Sequence, residues 1–245
     1  MVRTLLIWGM VVGIVAGLLA FGFAKIFGEP QVDRAIEFED QLDRAKSETP
    51  GPELVSRSVQ SGVGLMTGVV VYGTALGGLF ALAFAFAYQR IGRLSARSTS
   101  ALLAAAGFLA IFLVPQLKYP SNPPSVGHPE TIGYRSELFF LMILISVAAL
   151  SLAIVIAPRL SARYGNWNAA LLAAAVFIVI IVLAQVILPD INEVPDQFPA
   201  VVLWRFRVVS VGIQLILWAT FGLLFGVLAE RVLANQGNFD KSTLR

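Results

Sequence analysis

The chain has 245 residues, of which 57% are hydrophobic and only 13% charged, with a mean hydropathy of +0.79. Soluble domains carry about 25% charged residues, so this composition excludes an ordinary water-soluble domain. The net charge of +3 is too small to argue for a nucleic-acid partner, and the absence of cysteine excludes disulfides, thiolate metal ligands and haem attachment.

Six stretches are apolar enough to cross ~30 Å of hydrocarbon as helices. The first, Leu5–Phe27, is too long for a signal-peptide core and has no clear A-x-A site after it, so it is expected to stay as a helix. An outer loop, 28–62, follows. Within it "PQVDRAIEFEDQLDRAK" sets Val32, Ala35, Ile36 and Leu42 near one helical face, and Glu29, Asp33, Glu37 and Asp40 on another. This spacing predicts an amphipathic helix lying on the outer membrane surface or on neighbouring loops. Pro30 and the early acidic residues suit its first turn. Its carboxylates either face water or form a rail that concentrates cations.

The second stretch, Val63–Tyr88, carries Gly64 and Gly68, then Gly73 and Gly77, a spacing that lets helices approach closely. "GIVAG", Gly13 to Gly17, puts the same device on the first span, and the two faces are expected to pack together. The third stretch, Ala101–Leu117, has Pro115 in its last turn. It leads into "LVPQLKYPSNPPSVGHPETIGYR", which has five prolines and the chain's one histidine, His128. Each proline fixes its own φ and biases its predecessor away from helix, so the loop is expected to be a stiff cap. A tight first-row metal site gathers three or four ligands, which one histidine cannot supply.

The remaining stretches are Leu138–Ala157, Ala169–Leu188 and Val208–Leu228, with a tail over 231–245. Gln185 and Gln214 are their deeper polar groups, and each either lines a path or bonds helices together. Arg3, Arg90, Arg93, Arg97, Arg159, Arg163, Arg231, Lys241 and Arg245 fall on one side, which the positive-inside rule makes cytoplasmic. Both termini are then cytoplasmic, and the acidic loop, with Glu48 and Glu53 near its end, is outside.

The chain also repeats itself. "RLSAR" occurs at 93–97 and 159–163, and "ALLAAA" at 101–106 and 170–175. Each copy leads to a proline (Pro115, Pro189), a Pro-rich outer loop, and an arginine before the returning helix: Arg135, then Arg205 or Arg207. Pro30 and Arg57 echo the layout in the first hairpin. The predicted fold is therefore an all-α membrane protein of six helices in one polytopic domain. It forms three hairpins, about 5–88, 101–157 and 169–228, as parallel pseudo-repeats. The outer arginines are expected to converge and to pair with Glu29, Glu137, Asp190 or Glu193, or to receive a partner's acidic end. No H-E-x-x-H, P-loop or Gly-x-Ser-x-Gly motif points to an enzyme.

"GEPQVDRAIEFED", "VSRSVQSGVGL" and "LVPQLKYPSNPPSVG" with "ETIGYR" resemble the CbtA family of small bacterial integral membrane proteins, described as probable cobalt transporter subunits. The resemblance covers essentially the whole chain, and "PQLKYPSNPP" is its most specific piece. It implies uptake of divalent cobalt across the bacterial cytoplasmic membrane beside a CbtB-like partner, a short one-span protein with a histidine-rich end. Cobalt is then the transported ion, and no cofactor is implied. The family's outer motifs fall on Glu29, Pro30, Asp33, Glu37, Arg57, Gln60, Pro115, Lys118, Pro120, Asn122, Pro123, Pro124 and Arg135. His128 stands where the resemblance leads one to expect another residue.

One histidine and no cysteine equip the chain poorly to select cobalt over magnesium. Any metal contact is expected to be outer and weak, made by Glu29, Asp33, Glu37 and His128, with the partner supplying most imidazoles. The alternative is a non-transporting accessory subunit of a larger membrane complex.

Overall fold

The computed structural model describes residues 1–46, 55–90 and 94–243, so Glu48, Glu53, Arg93 and Arg245 lie outside the described residues. All regular structure among the described residues is helical. Among the described residues, five continuous helices are long and apolar enough to cross a membrane: Val2–Ala45, Arg57–Ala87, Ala96–Lys118, Pro129–Ile187 and Ala200–Asn235.

The expected surface helix is not a separate element. Helix α1 (Val2–Phe23) runs through a π-helical turn, Ala24–Gly28, straight into α2 (Glu29–Lys46). Pro30 fails to break this helix because the Glu29 N–H reaches back five residues to the Ala24 carbonyl, not four. The wider turn makes room for a ring that would otherwise strike the carbonyl four residues behind it.

The third span uses the same solution. Helix α5 (Ala96–Gly107) continues through the π turn Phe108–Leu113 into α6 (Val114–Lys118), and the Val114 N–H bonds the Leu109 carbonyl just before Pro115. Between these, a short turn α3 (Arg57–Val59) and the π turn Gln60–Gly64 lead into α4 (Leu65–Ala87).

The chain packs as two units: residues 1–105 with 200–245, and residues 106–199. In the first unit α1 and α4 meet through glycine. A Cβ built on Gly9 would strike the Gly77 carbonyl, and one on Gly13 would strike the Gly73 carbonyl and Thr74 Cα. At Gly17 the obstacle is Val70 Cα, at 2.7 Å. Lipid tails are as apolar as leucine, so such backbone contact, not transfer from water, holds spans together. Gly68, expected to share this role, faces open space.

Helix α8 (Ala200–Thr220) passes through a further π turn, Phe221–Phe225, into α9 (Gly226–Thr243). It begins eight residues earlier than the sequence suggests, so Arg205 and Arg207 lie on the helix itself and not ahead of it. Phe80 and Phe84 of α4 pack against Phe221 and Phe225, with ring centroids 5.2–5.6 Å apart. The fully buried Ser100 of α5 donates to the Phe221 carbonyl at 3.1 Å, inside the π turn. Gly222 and Gly226, four apart, allow this approach: their Cβ positions would lie 3.0 Å from Ala104 and 3.1 Å from Ser100. Arg97 pairs with Glu230 at 2.6 Å along the same contact.

In the second unit α7 (Ile132–Ile187) spans 56 residues, but Gly165 sits at φ 78, ψ 161. Only glycine occupies that region without strain. Met142 and Ala149 before the break share one buried cluster with Val114, Ile181 and Ala184. The two limbs of α7 therefore pack against each other, with the fourth and fifth sequence stretches one on each limb.

Candidate functional site

The polar residues singled out from the sequence gather at the ends of helices, and each unit builds its own cluster. In the first unit Arg57, at the start of α3, grips two carboxylates one turn apart on α2. Its Nη2 pairs with Glu29, and its Nε donates to Asp33 Oδ1 at 3.0 Å. Glu29 is the buried member, its side chain 11% exposed against 56% for Asp33. A buried carboxylate needs a cation beside it, and Arg57 supplies one. The Lys25 ammonium donates to the Ser61 carbonyl at 2.9 Å, tying the π turn after α1 to the one before α4. Gln60 closes its own turn by donating to the Val55 carbonyl. Glu37, two turns beyond Glu29, is exposed.

In the second unit the proline loop is tied to the loop 188–199 that follows α7. Lys118 extends from the end of α6, with only 6% of its side chain exposed. Its ammonium donates to the Gln185 carbonyl at 2.7 Å and to the Asp190 carboxylate. Gln185 lies in the last turn of α7, where carbonyls lack helical partners and the dipole is negative, so a lysine there is doubly favoured. Next to it the Tyr119 hydroxyl donates to the Pro189 carbonyl at 2.9 Å. Burial, first of all, raises the Tyr119 pKa, so this donor keeps its proton. Gln116, buried beside the buried Pro115, bonds Ser121 twice: Nε2 donates to Ser121 Oγ, and Oε1 accepts from the Ser121 N–H.

At the far end of the loop, Glu193 accepts from the His128 N–H at 2.8 Å and faces Arg135 Nε at 3.5 Å. Its carboxyl is held below the usual carboxylate range, first by a hydrogen bond from Thr131, then by the His128 amide, with Arg135 adding to the effect. Gly127, at φ 116, lets the Arg135 guanidinium lie against its backbone, where a Cβ would strike it. The His128 imidazole itself is exposed, and Asn122 is half-buried.

Of the acids offered as partners for the outer arginines, Glu29 lies with Arg57, which also holds Asp33. Arg135 turns to Glu193, not to its neighbour Glu137, and Asp190 is held by a lysine. Arg205 is exposed and Arg207 half-buried on α8. Among the described residues, no three histidine, cysteine, aspartate or glutamate side chains gather closely enough to hold a metal ion. Sequence reasoning named Glu193 as one of four possible partners but did not single it out, because nothing in "DINEVPDQF" ranks it above Asp190 or Asp196. It missed Gly222 and Gly226, whose spacing was readable.

Residues 2–230 match a family model described as "Probable cobalt transporter subunit (CbtA)". No curated protein and no solved structure matches the chain. With a match that spans nearly its whole length and an all-helical structure of long apolar helices, the chain belongs to the CbtA family.

Proposed function

We propose that the chain is the multi-span subunit of a divalent cobalt uptake system in the bacterial cytoplasmic membrane, working with a small histidine-rich partner. The observation that carries this reading is the family match over residues 2–230. The donor inventory adds to it. Carboxylates are the plentiful ligands here, and hard oxygen donors bind cobalt without selectivity. A partner rich in imidazole supplies what this chain lacks.

The membrane arrangement goes with it: six spans as three hairpins, both termini cytoplasmic, and the proline-bearing loops outside. A 56-residue helix would run about 84 Å at 1.5 Å per residue, far beyond ~30 Å of hydrocarbon. Gly165 divides α7 into two lengths that each suit one crossing, which supports six spans over five. The repeated π turn ahead of Pro30 and Pro115 supports hairpins built on one plan.

On this chain the first cation contact is outer and weak, made by Glu29, Asp33 and Glu37, with His128 as a further outer donor. Arg57 competes with any cation for the first two. Titration calorimetry of the purified chain with cobalt at neutral pH tests this. Weak binding is expected, tightened in Arg57→Gln and lost when Glu29, Asp33 and Glu37 are all neutralised. Submicromolar binding that ignores all four substitutions would remove these residues from the site.

A further inference from the structure

Two buried polar atoms in the first unit meet no hydrogen-bond partner among the described residues: Gln214 Oε1 and Trp218 Nε1. Both lie on α8, one helical turn apart, which sets their Cβ atoms about 5–6 Å from each other. Trp218 is 5% exposed and wedged edge-on against Phe80 and Phe221, with ring centroids at 6.4 Å and 5.9 Å. The indole is fixed by this packing and cannot swing its N–H to another acceptor.

One orphan is a donor only, and the other an acceptor only. Leaving both unmade costs roughly 1–3 kcal/mol each. A donor and an acceptor on adjacent turns are complementary to one small molecule that accepts at one end and donates at the other. A bare cation does not fit, because the indole N–H presents positive charge to it. Burial of both atoms leaves no route for a lipid headgroup. From this geometry we infer that Gln214 and Trp218 form a specific water site inside the first unit, with one water accepting from Trp218 Nε1–H and donating to Gln214 Oε1.

Buried waters ordinarily make two to four bonds to polar groups otherwise left unmade, and this pair supplies two. The site also gives Gln214 a role in an apolar helix: its Oε1 holds water.

The test uses the full chain in proteoliposomes, with indole-15N tryptophan, read by solid-state NMR. The Trp218 resonance is assigned by its loss in Trp218→Phe. The expected result is magnetisation transfer between the Trp218 indole proton and a bound water. In Gln214→Leu and Gln214→Met that transfer is lost and the proton moves upfield. Where Trp218→Phe fails to fold, the same resonance is assigned by elimination with Trp8→Phe, Trp167→Phe and Trp204→Phe at the three exposed tryptophans, and the wild-type transfer from water still decides the test. An upfield shift in the variants without any wild-type transfer from water would mean a direct side-chain bond and overturn the inference. A resonance indifferent to both substitutions would overturn it too.

Discussion

Glu193 holds the proline loop by accepting from the His128 amide and by pairing with the Arg135 guanidinium, contacts that its negative charge strengthens. Its folded-state pKa is depressed, so the contact contributes fully above the unfolded carboxylate value of about 4.3. The contribution is lost as pH falls through the lower folded value, where protonation removes the charge that strengthens these contacts. Hydrogen exchange at the His128 amide, corrected for its intrinsic rate, should show protection at neutral pH that fades in acid. Glu193→Gln should lack that pH dependence. Protection unchanged into strong acid would mean that Glu193 does not latch the loop. Much of this was legible residue by residue: Arg57, Lys118 and Arg135 were singled out, and each proves to hold a carboxylate. What could not be read is the pairing, because charge partners 24 to 72 residues apart depend on how the helices pack.

At the scale of elements, glycine spacing told where helices touch but not which glycines do so. Gly73 and Gly77 meet α1, whereas Gly64 and Gly68 repeat the spacing and do not. The difference lies in which face of α4 turns toward α1, and four-residue spacing alone leaves that open. Gly13→Val would drive a side chain into the Gly73 carbonyl and Thr74 Cα, and overpacking of this kind costs about 1–3 kcal/mol. Gly68→Ala meets nothing, and removing a helix-interior glycine should be neutral or stabilise by about 0.5–1 kcal/mol. Thermal unfolding in detergent micelles reads both. Equal midpoints for the two variants would argue against the glycine contact between α1 and α4. The continuation of α1 into α2 was illegible for a different reason. Proline ordinarily ends or kinks a helix, and only the π turn before Pro30 reverses that expectation.

For the whole molecule, hydropathy separated six stretches, whereas helix continuity counts five, because α7 runs through Gly165. The sequence placed the gap between Ala157 and Ala169, but nothing in it shows that the helix continues across that gap with only Gly165 out of register. Reporter fusions decide the count in the membrane. A fusion after Tyr164 should report the cytoplasm and one after Val194 the outside; the same compartment for both would remove a crossing. On the function proposed above, this chain moves cobalt only together with a partner that supplies imidazole. Uptake of labelled cobalt into cells that lack other high-affinity cobalt uptake measures it directly, with this chain alone, a histidine-rich one-span protein alone, or both. Uptake above background is expected only with both proteins present, and is expected to be lost when the partner's histidines are replaced. Full uptake by this chain alone, or none with the pair, would contradict that function.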